Sequence, residues 1–268
     1  MHDPGPAFRA LHQKGNPFIL CNAWDSGSAK VLAALGAEAL ATSSSAYAFT
    51  LGKPDGGITR DQALAHAEEL VKATPLPVSG DLENGFGEAP ETVAETVRMA
   101  CEAGLAGCSI EDTALPAATP YAFDLAVERI KAAVDAARGL PRDFVLVARA
   151  DGILQGSYDT DEALRRLKAF EAAGADCLYS PLPPTFEDLA RICAELEAPV
   201  NALIAGTYAS YTREDYARIG VARLSLGGSL ARSVQRTLID AAEEMLSEGS
   251  FSLLKKSVSG AKVDRMLE

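Results

Sequence analysis

Asp81 and Glu83 stand two positions apart in the stretch SGDLENGFGE (79–88), where an apolar run gives way to a glycine-rich turn. If the run is a β-strand, alternate side chains share a face and both carboxylates point to one side. Glu111, closing the run in SIED (109–112), can join them. Carboxylates that converge without a cation raise one another's pKa, and a divalent ion relieves the repulsion. An all-oxygen set with no histidine or thiolate nearby suits Mg2+, or Mn2+, rather than Zn2+. Gly85 and Gly87 let the chain turn tightly beside such an ion. Arg149 follows the apolar run FVLVA (144–148). A cation emerging there needs an anion: Asp151, a metal-site acid or a substrate carboxylate gripped bidentately. Thr42, Ser43, Ser44 and Ser45 offer hydroxyls and successive backbone N–H groups, a cradle for a carboxylate. Solvated acids at a strand rim are the plain alternative for Asp81 and Glu83 alone. Glu111, Arg149 and the serine run at matching strand ends weigh against it.

These residues must be positioned by a regular scaffold. Short apolar runs at 17–24, 37–44, 76–83, 106–112, 144–151, 176–182, 199–204 and 222–228 read as strands. Amphipathic stretches at 26–35, 59–73, 90–103, 123–138, 159–173, 184–196, 212–219 and 229–247 read as helices. In 90–103, Val93, Val97, Ala100 and Cys101 fall on one helical face, and Pro90 suits a first turn. Gly36, Gly104, Gly139, Gly174 and Gly220 stand where helices should stop. Regular βα alternation without a long insertion predicts one (β/α)8 TIM barrel spanning 1–268, with a C-terminal helical extension from about 248. Chemistry in such a barrel sits at the C-terminal ends of the strands. The polar groups above all fall there, together with Asn22, Trp24, Asp25, Asp112, Tyr179, Ser180 and Asn201.

Composition narrows the partners. The formal net charge of the 268-residue chain is -12, which disfavours nucleic acid and anionic membrane surfaces. Cys21, Cys101, Cys108, Cys177 and Cys193 show no C-x-x-C pairing and read as reduced thiols, which favours a cytoplasmic location. The opening MHDPGPAFRALHQKG lacks the apolar core of a secretory signal, and no run reaches membrane-spanning length. A small-molecule substrate is the expected partner.

In order and spacing, NAWD (22–25), TSS (42–44), LGKPDG (51–56), DLENGFG (81–87), SIED (109–112) and VARAD (147–151) resemble the isocitrate lyase/phosphoenolpyruvate mutase superfamily. The likeness runs from about residue 7 to 250. It implies a (β/α)8 barrel, an Mg2+ ion and a 2-oxo acid or enolate on that ion. It implies Asp81 as the most direct metal ligand, with Glu83 and Glu111 reaching the ion partly through water. Thr42, Ser43 and Ser44 would bind a substrate carboxylate, Trp24 would pack over the ligand, and Arg149 would hold oxo or carboxylate oxygens. Asp55 would approach the reacting carbon or metal-bound water. The resemblance also implies a C-terminal helix exchanged between subunits of a homodimer or homotetramer.

The departures choose among reactions. Isocitrate and methylisocitrate lyases carry a K-[KR]-C-G-H loop after the fourth strand, and phosphonate enzymes an E-D-K-x-x-P-K-x-N loop. TALPAATPYAFD (113–124) contains none of the Cys, Lys, His or Asn residues of those loops. Where methylisocitrate lyases place a glutamate, this chain reads LYSPL, so Tyr179, Ser180, Asn201 and Tyr121 or Tyr208 are expected to line a different distal pocket. His2, His12 and His66 fall away from the strand ends. Proton transfer is left to carboxylates, tyrosines and water. The expectation is an Mg2+-dependent lyase acting on a small 2-oxo or 2-hydroxy (di)carboxylate through an enolate, with Asp55, Glu111 and Arg149 as catalytic groups. A phosphonate C–P enzyme and a non-catalytic 2-oxo acid binder are the alternatives.

Overall fold

The computed structural model describes residues 3–268. Strands β1 (Phe18–Asn22), β2 (Leu40–Ala41), β3 (Val78–Asp81) and β4 (Gly107–Glu111) lead into a small antiparallel hairpin, β5 (Thr113–Ala114) and β6 (Thr119–Pro120). Strands β7 (Val145–Arg149), β8 (Cys177–Tyr179), β9 (Val200–Leu203) and β10 (Arg223–Ser225) follow. Apart from the hairpin, the strands form one closed parallel barrel in the order β1-β10-β9-β8-β7-β4-β3-β2. The eight runs read from sequence are these eight barrel strands.

Around them lie α1 (Gly5–Ala10), α2 (Ser26–Ala34), α3 (Ser44–Thr50), α4 (Arg60–Ala73), α5 (Pro90–Glu102) and α6 (Phe123–Arg138). The ring closes with α7 (Thr160–Ala172), α8 (Phe186–Glu195), α9 (Arg213–Arg218) and α10 (Ser229–Glu243). Their starts follow from side chains that satisfy first-turn N–H groups. Asp25, Thr59, Thr185 and Thr212 each form a reciprocal capping box. Gly36, Gly104, Gly174 and Gly220 take the left-handed conformation expected of a helix stop. Gly139 also stands where its helix stops, as the C-cap of α6, but with φ -82° rather than in the left-handed conformation. Two helices lie outside the sequence reading. α1 lies across the N-terminal end of the barrel, and α3 begins inside the serine run.

Two apolar layers hold the architecture. One lies between strands and helices, where Val93, Val97, Ala100 and Cys101 of α5 meet the barrel as their spacing predicts. The other fills the barrel interior with Phe18, Leu20, Ala41, Val145, Val147 and Cys177, closed by Phe8 of α1. A Cβ on Gly107 would run into the Val145 carbonyl oxygen and the Phe8 ring. Gly107→Ala is therefore expected to lower unfolding free energy in urea by roughly 2–3 kcal/mol, the usual cost of overpacking a tight core.

His12 packs edge-on between Phe8 and Phe18 at the same end. Burial, helped by the Arg223 charge, pushes its pKa down to about 3; Asp176 opposes this and Arg9 adds to it. The native state thus binds fewer protons than the unfolded chain, in which histidine titrates near ~6.5. Stability contributed by neutral His12 is present above that pH and is lost by about 1.4 kcal/mol per unit as pH falls toward 3. In His12→Phe the stability deficit should shrink between pH 6 and 4, as followed by urea midpoints; a pH-independent deficit contradicts this.

Beyond α10 the chain continues as a wide turn at Glu244–Glu248 and a short helical segment at Ser252–Lys256. It ends in α11 (Gly260–Leu267), which lies against α2 of its own barrel, with Lys30 Nζ donating to the Leu267 carbonyl at 2.6 Å. Val234 and Leu238 of α10 and Leu246, Phe251 and Val258 of this extension are exposed. No helix among the described residues is long and apolar enough to cross a membrane.

Candidate active site

A cavity of about 290 Å³ opens at the C-terminal ends of the strands. Thr42, Ser43, Ser44, Asp55, Asp81, Glu111, Arg149 and Tyr179 line it, as expected from sequence. Arg149 is its centre. Its Nη1 donates to Asp81 Oδ1 at 2.9 Å, and its Nε and Nη2 grip Asp151 at 3.0 and 2.7 Å. Nη2 also lies 3.2 Å from Glu111 Oε2. Burial alone would lower the Arg149 pKa, but Asp151, Glu111 and Asp81 together hold the guanidinium charged. Glu111 and Asp151 are both pushed up, first by burial, with Arg149 opposing the rise.

Asp81 ends β3 and is fixed from three sides. Its Oδ2 accepts from the Ser44 N–H at 3.0 Å and from Ser44 Oγ at 2.9 Å, while its own N–H donates to Thr42 Oγ1 at 2.7 Å. The serine run is therefore not an open cradle in this structure. Ser44 is committed to Asp81, and Ser43 caps α3 by accepting from the Ala46 N–H at 3.3 Å.

Glu83 corrects the strand reading. β3 stops at Asp81, and Glu83 takes a left-handed φ of 50°, so period-two alternation no longer governs its direction. The following loop is pinned by buried Arg129 of α6, which donates to the carbonyls of Asn84, Gly87 and Glu88. Glu83 is buried beside the cavity lining, and its Oε1 has no hydrogen-bond partner. Burial, then the charges of Asp81 and Asp55, push its carboxyl up to about 8.

An unpartnered buried carboxylate oxygen in an acid-rich pocket fits a hard cation in chemistry. The expected three-acid ligand set is not assembled, however. Among the described residues no three His, Cys, Asp or Glu side chains stand close enough to hold an ion. The reason is steric and electrostatic: the Arg149 guanidinium bridges Asp81 and Glu111.

Asp55 sits in the turn between α3 and α4 at the cavity mouth. Although exposed, it is pushed up by partial loss of water and by the charge of Asp81. Three expected residues do not line the cavity. Trp24 lies on the turn into α2, its N–H held by Ser28 Oγ at 3.1 Å, and does not cover the site. Asn201 lies deeper in the barrel, its Nδ2 donating to Ser225 Oγ at 2.9 Å. Glu83 is the third, for the backbone reason above. Ser180, Tyr121 and Tyr208 are likewise engaged elsewhere: Ser180 Oγ donates to the Ala150 carbonyl, Tyr121 accepts from Asn84, and Tyr208 donates to Pro183. Asp112 is wholly buried, accepting from the Asp151 N–H, Tyr158 Oη and Arg166 Nη1 at 2.8, 2.9 and 3.0 Å.

The sequence reading missed the side of the cavity built by β10 and the start of α10, namely Arg223, Ser225, Gly227, Gly228 and Arg232. Period-two alternation in RLSLG puts Arg223, Ser225 and Gly227 on one side, and barrel loops after the last strands often frame anions. That signal was present in the sequence. His12 and His66 do not line the cavity.

The phosphoenolpyruvate phosphomutase family model matches residues 8–246. A structure described as a lyase/mutase from Burkholderia cenocepacia superposes with a TM-score of 0.94 at 48% identity, over 98% of this chain and 94% of that one. The 2-methylisocitrate lyase of Salmonella typhimurium is 33% identical over 76% of this chain and 71% of its own length. The oxaloacetate decarboxylase of Ectopseudomonas mendocina is 30% identical over 86% and 80%. With the barrel, the acid cluster and the matched length all in agreement, the chain belongs to the phosphoenolpyruvate phosphomutase family, in the isocitrate lyase/PEP mutase superfamily of enzymes.

Proposed function

We propose that the chain is a divalent-metal-dependent lyase that breaks a carbon–carbon bond of a small 2-oxo or 2-hydroxy dicarboxylate and leaves an enolate. The carrying observation is Arg149, held charged by Asp81, Glu111 and Asp151 within a polar cavity. An Mg2+ or Mn2+ ion held by Asp81, with Glu83 and Glu111, would supply further positive charge where the enolate oxygen develops. Arg149 binds the 2-oxo oxygen and the adjoining carboxylate, and its fixed charge favours the transition state over the ground state. For a substrate such as oxaloacetate, the bond from C3 to the departing carboxylate breaks and carbon dioxide leaves. The electron pair moves into the C2 carbonyl, and C3 then takes a proton. Asp55, which lines the cavity and is pushed up by burial and Asp81, would deliver it. Thr42 and Ser44 set the position of Asp81 and, with Ser43, border the substrate, and Tyr179 forms the wall beside Arg149, whose guanidinium carbon lies 5.1 Å from the ring centre. The hairpin β5–β6 contributes Leu115 to the cavity and no ionisable group, which speaks against C–P chemistry of the phosphonate type. The same reading takes the protein as a cytoplasmic homo-oligomer that covers the apolar extension, with Asn201 acting from below the substrate.

The test is NMR of oxaloacetate, pyruvate, 2-oxoglutarate and phosphonopyruvate mixed with enzyme, with and without Mg2+. Oxaloacetate consumed well above the metal-only background supports the reading. Phosphate released from phosphonopyruvate would replace it with a C–P activity. Metal-dependent binding without turnover of any 2-oxo or 2-hydroxy acid would make the protein a binder.

A further inference from the structure

The cavity holds two arginines drawn from barrel strands, and their surroundings are opposite. Arg149 meets three carboxylates. Arg223, which opens β10, meets none among the described residues, although it is only 5% exposed and lines the cavity. Its Nε and Nη1 are buried without a hydrogen-bond partner. A buried guanidinium with neither counter-charge nor acceptor is costly, and the native fold retains one only where something else compensates it.

The charges of Arg149 and Asp81 reach it with opposite sign, and the polar side chain paired with it across the strands carries none. Asn201 faces Arg223 across the β9–β10 pairing. Its Oδ1 is unpartnered, and its Nδ2 donates to Ser225 Oγ. Ser225 lines the cavity, as does Ser79, whose buried Oγ also lacks a partner. The Tyr179 ring packs beside Arg149 at the boundary between this floor and the acids above. The result is a polarity split within one cavity: acids bridged by Arg149 above, and an uncompensated cation with hydroxyls below. Acids suit a metal and the head of an oxo acid. The floor suits a carboxylate.

We propose that Arg223, with Ser79 and Ser225, forms a second anion subsite at the cavity floor, with Asn201 holding Ser225 in place from beneath, and that it takes the far carboxylate of a linear dicarboxylate. This assignment rests on the lyase reading for the identity of the substrate, whereas the anion site itself does not. It makes Arg223 the residue that separates dicarboxylates from monocarboxylates. Guanidinium nitrogens donate to the carboxylate oxygens, and the serine hydroxyls satisfy remaining lone pairs.

The experiment uses the whole chain without added metal and reads thermal unfolding and calorimetric binding of succinate, formate and pyruvate. Succinate should stabilise the wild type, and Arg223→Met should lose about 100-fold in succinate affinity, the scale of a lost charge-assisted contact. Formate should also stabilise the wild type in an Arg223-dependent manner if the floor accepts a free carboxylate. With Mg2+ present, KM for a turned-over dicarboxylate should rise by a similar factor in Arg223→Met, while pyruvate binding changes less than about threefold. Arg223→Lys, which keeps the charge but loses the planar fork, should recover part of the loss. If neither succinate nor formate stabilises the wild type, or if Arg223→Met binds succinate as the wild type does, the subsite is overturned. Should Arg223→Met fail to fold, the wild-type response and Asn201→Ala decide: an unchanged succinate affinity in Asn201→Ala, alongside no wild-type formate response, overturns it. Anion binding that depends on Arg223 without turnover of any acid would leave the floor site standing and remove the lyase reading. Turnover indifferent to Arg223 would do the reverse.

Discussion

Arg149→Lys is expected to lower kcat/KM for the dicarboxylate substrate by about 10²–10³, the scale for losing one preorganised donor to a developing oxyanion. Lysine keeps the charge but not the planar array that grips Asp151 with two nitrogens while reaching Asp81 and Glu111. The ammonium can satisfy one of these partners well. The others are left in a pocket where burial already pushes Glu111 and Asp151 toward their neutral forms. Arg149→Met goes further, because it leaves carboxylates buried without their cation. Breaking one side of such an arrangement costs about 3–5 kcal/mol of stability. That loss should ease as pH is lowered, because the stranded acids can then take up protons. Urea unfolding at two pH values together with single-substrate kinetics checks both statements. Equal kcat/KM in Arg149→Lys and wild type would show that the guanidinium does not touch the reacting oxygens.

The second large effect belongs to Asp81. Asp81→Asn is expected to reduce metal-stimulated turnover to background, a loss on the order of 10³ or more if the ion supplies several kcal/mol of transition-state stabilisation. The amide oxygen can still accept from Ser44, so the fold should persist with a melting temperature close to wild type. What disappears is the negative charge that Ser44 and Arg149 now hold in place and that would bind the ion. Titration of Mn2+ into the protein, read by its electron spin resonance signal, separates the causes. Loss of Mn2+ binding in Asp81→Asn together with loss of turnover supports direct ligation. Unchanged Mn2+ binding with lost turnover would assign Asp81 to the orientation of Arg149 instead. Glu83→Gln should weaken the metal less than Asp81→Asn, because Glu83 lies beside the lining rather than on it.

Much of this was legible in the sequence because barrels repeat. Each apolar run had to be a strand, each glycine-terminated amphipathic stretch a helix, and each strand-end polar residue a candidate for one rim. That logic brought Asp81, Glu111, Arg149, Thr42 and Tyr179 to the same cavity. It failed where direction depends on backbone angles rather than spacing. Glu83 follows its strand by two residues but turns through a left-handed conformation, in a loop whose carbonyls Arg129 holds from 40 or more positions away in sequence. No local pattern reports that contact. Trp24 failed because its turn is dictated by the α2 capping box. Arg223 and Arg232 were missed for a different reason. The alternation of the last strand turns Arg223 inward together with Ser225, and the first turn of α10 brings Arg232 to the same side.

Asp112 has a consequence of another kind. It anchors the Asp151 backbone, Tyr158 and Arg166 without lining the cavity, and its carbonyl oxygen accepts the Tyr121 N–H at 2.8 Å where the chain returns from the β5–β6 hairpin. The parts that fix Arg149 and the acids are thus tied to β4, β7 and α7, while the intervening hairpin contributes only Leu115 to the cavity wall. Such a division of labour lets the hairpin drift through mutation, exchanging one reactive loop for another, while the charged machinery beneath it survives the change. One ancestral scaffold can then be retuned toward new substrates a few loop residues at a time.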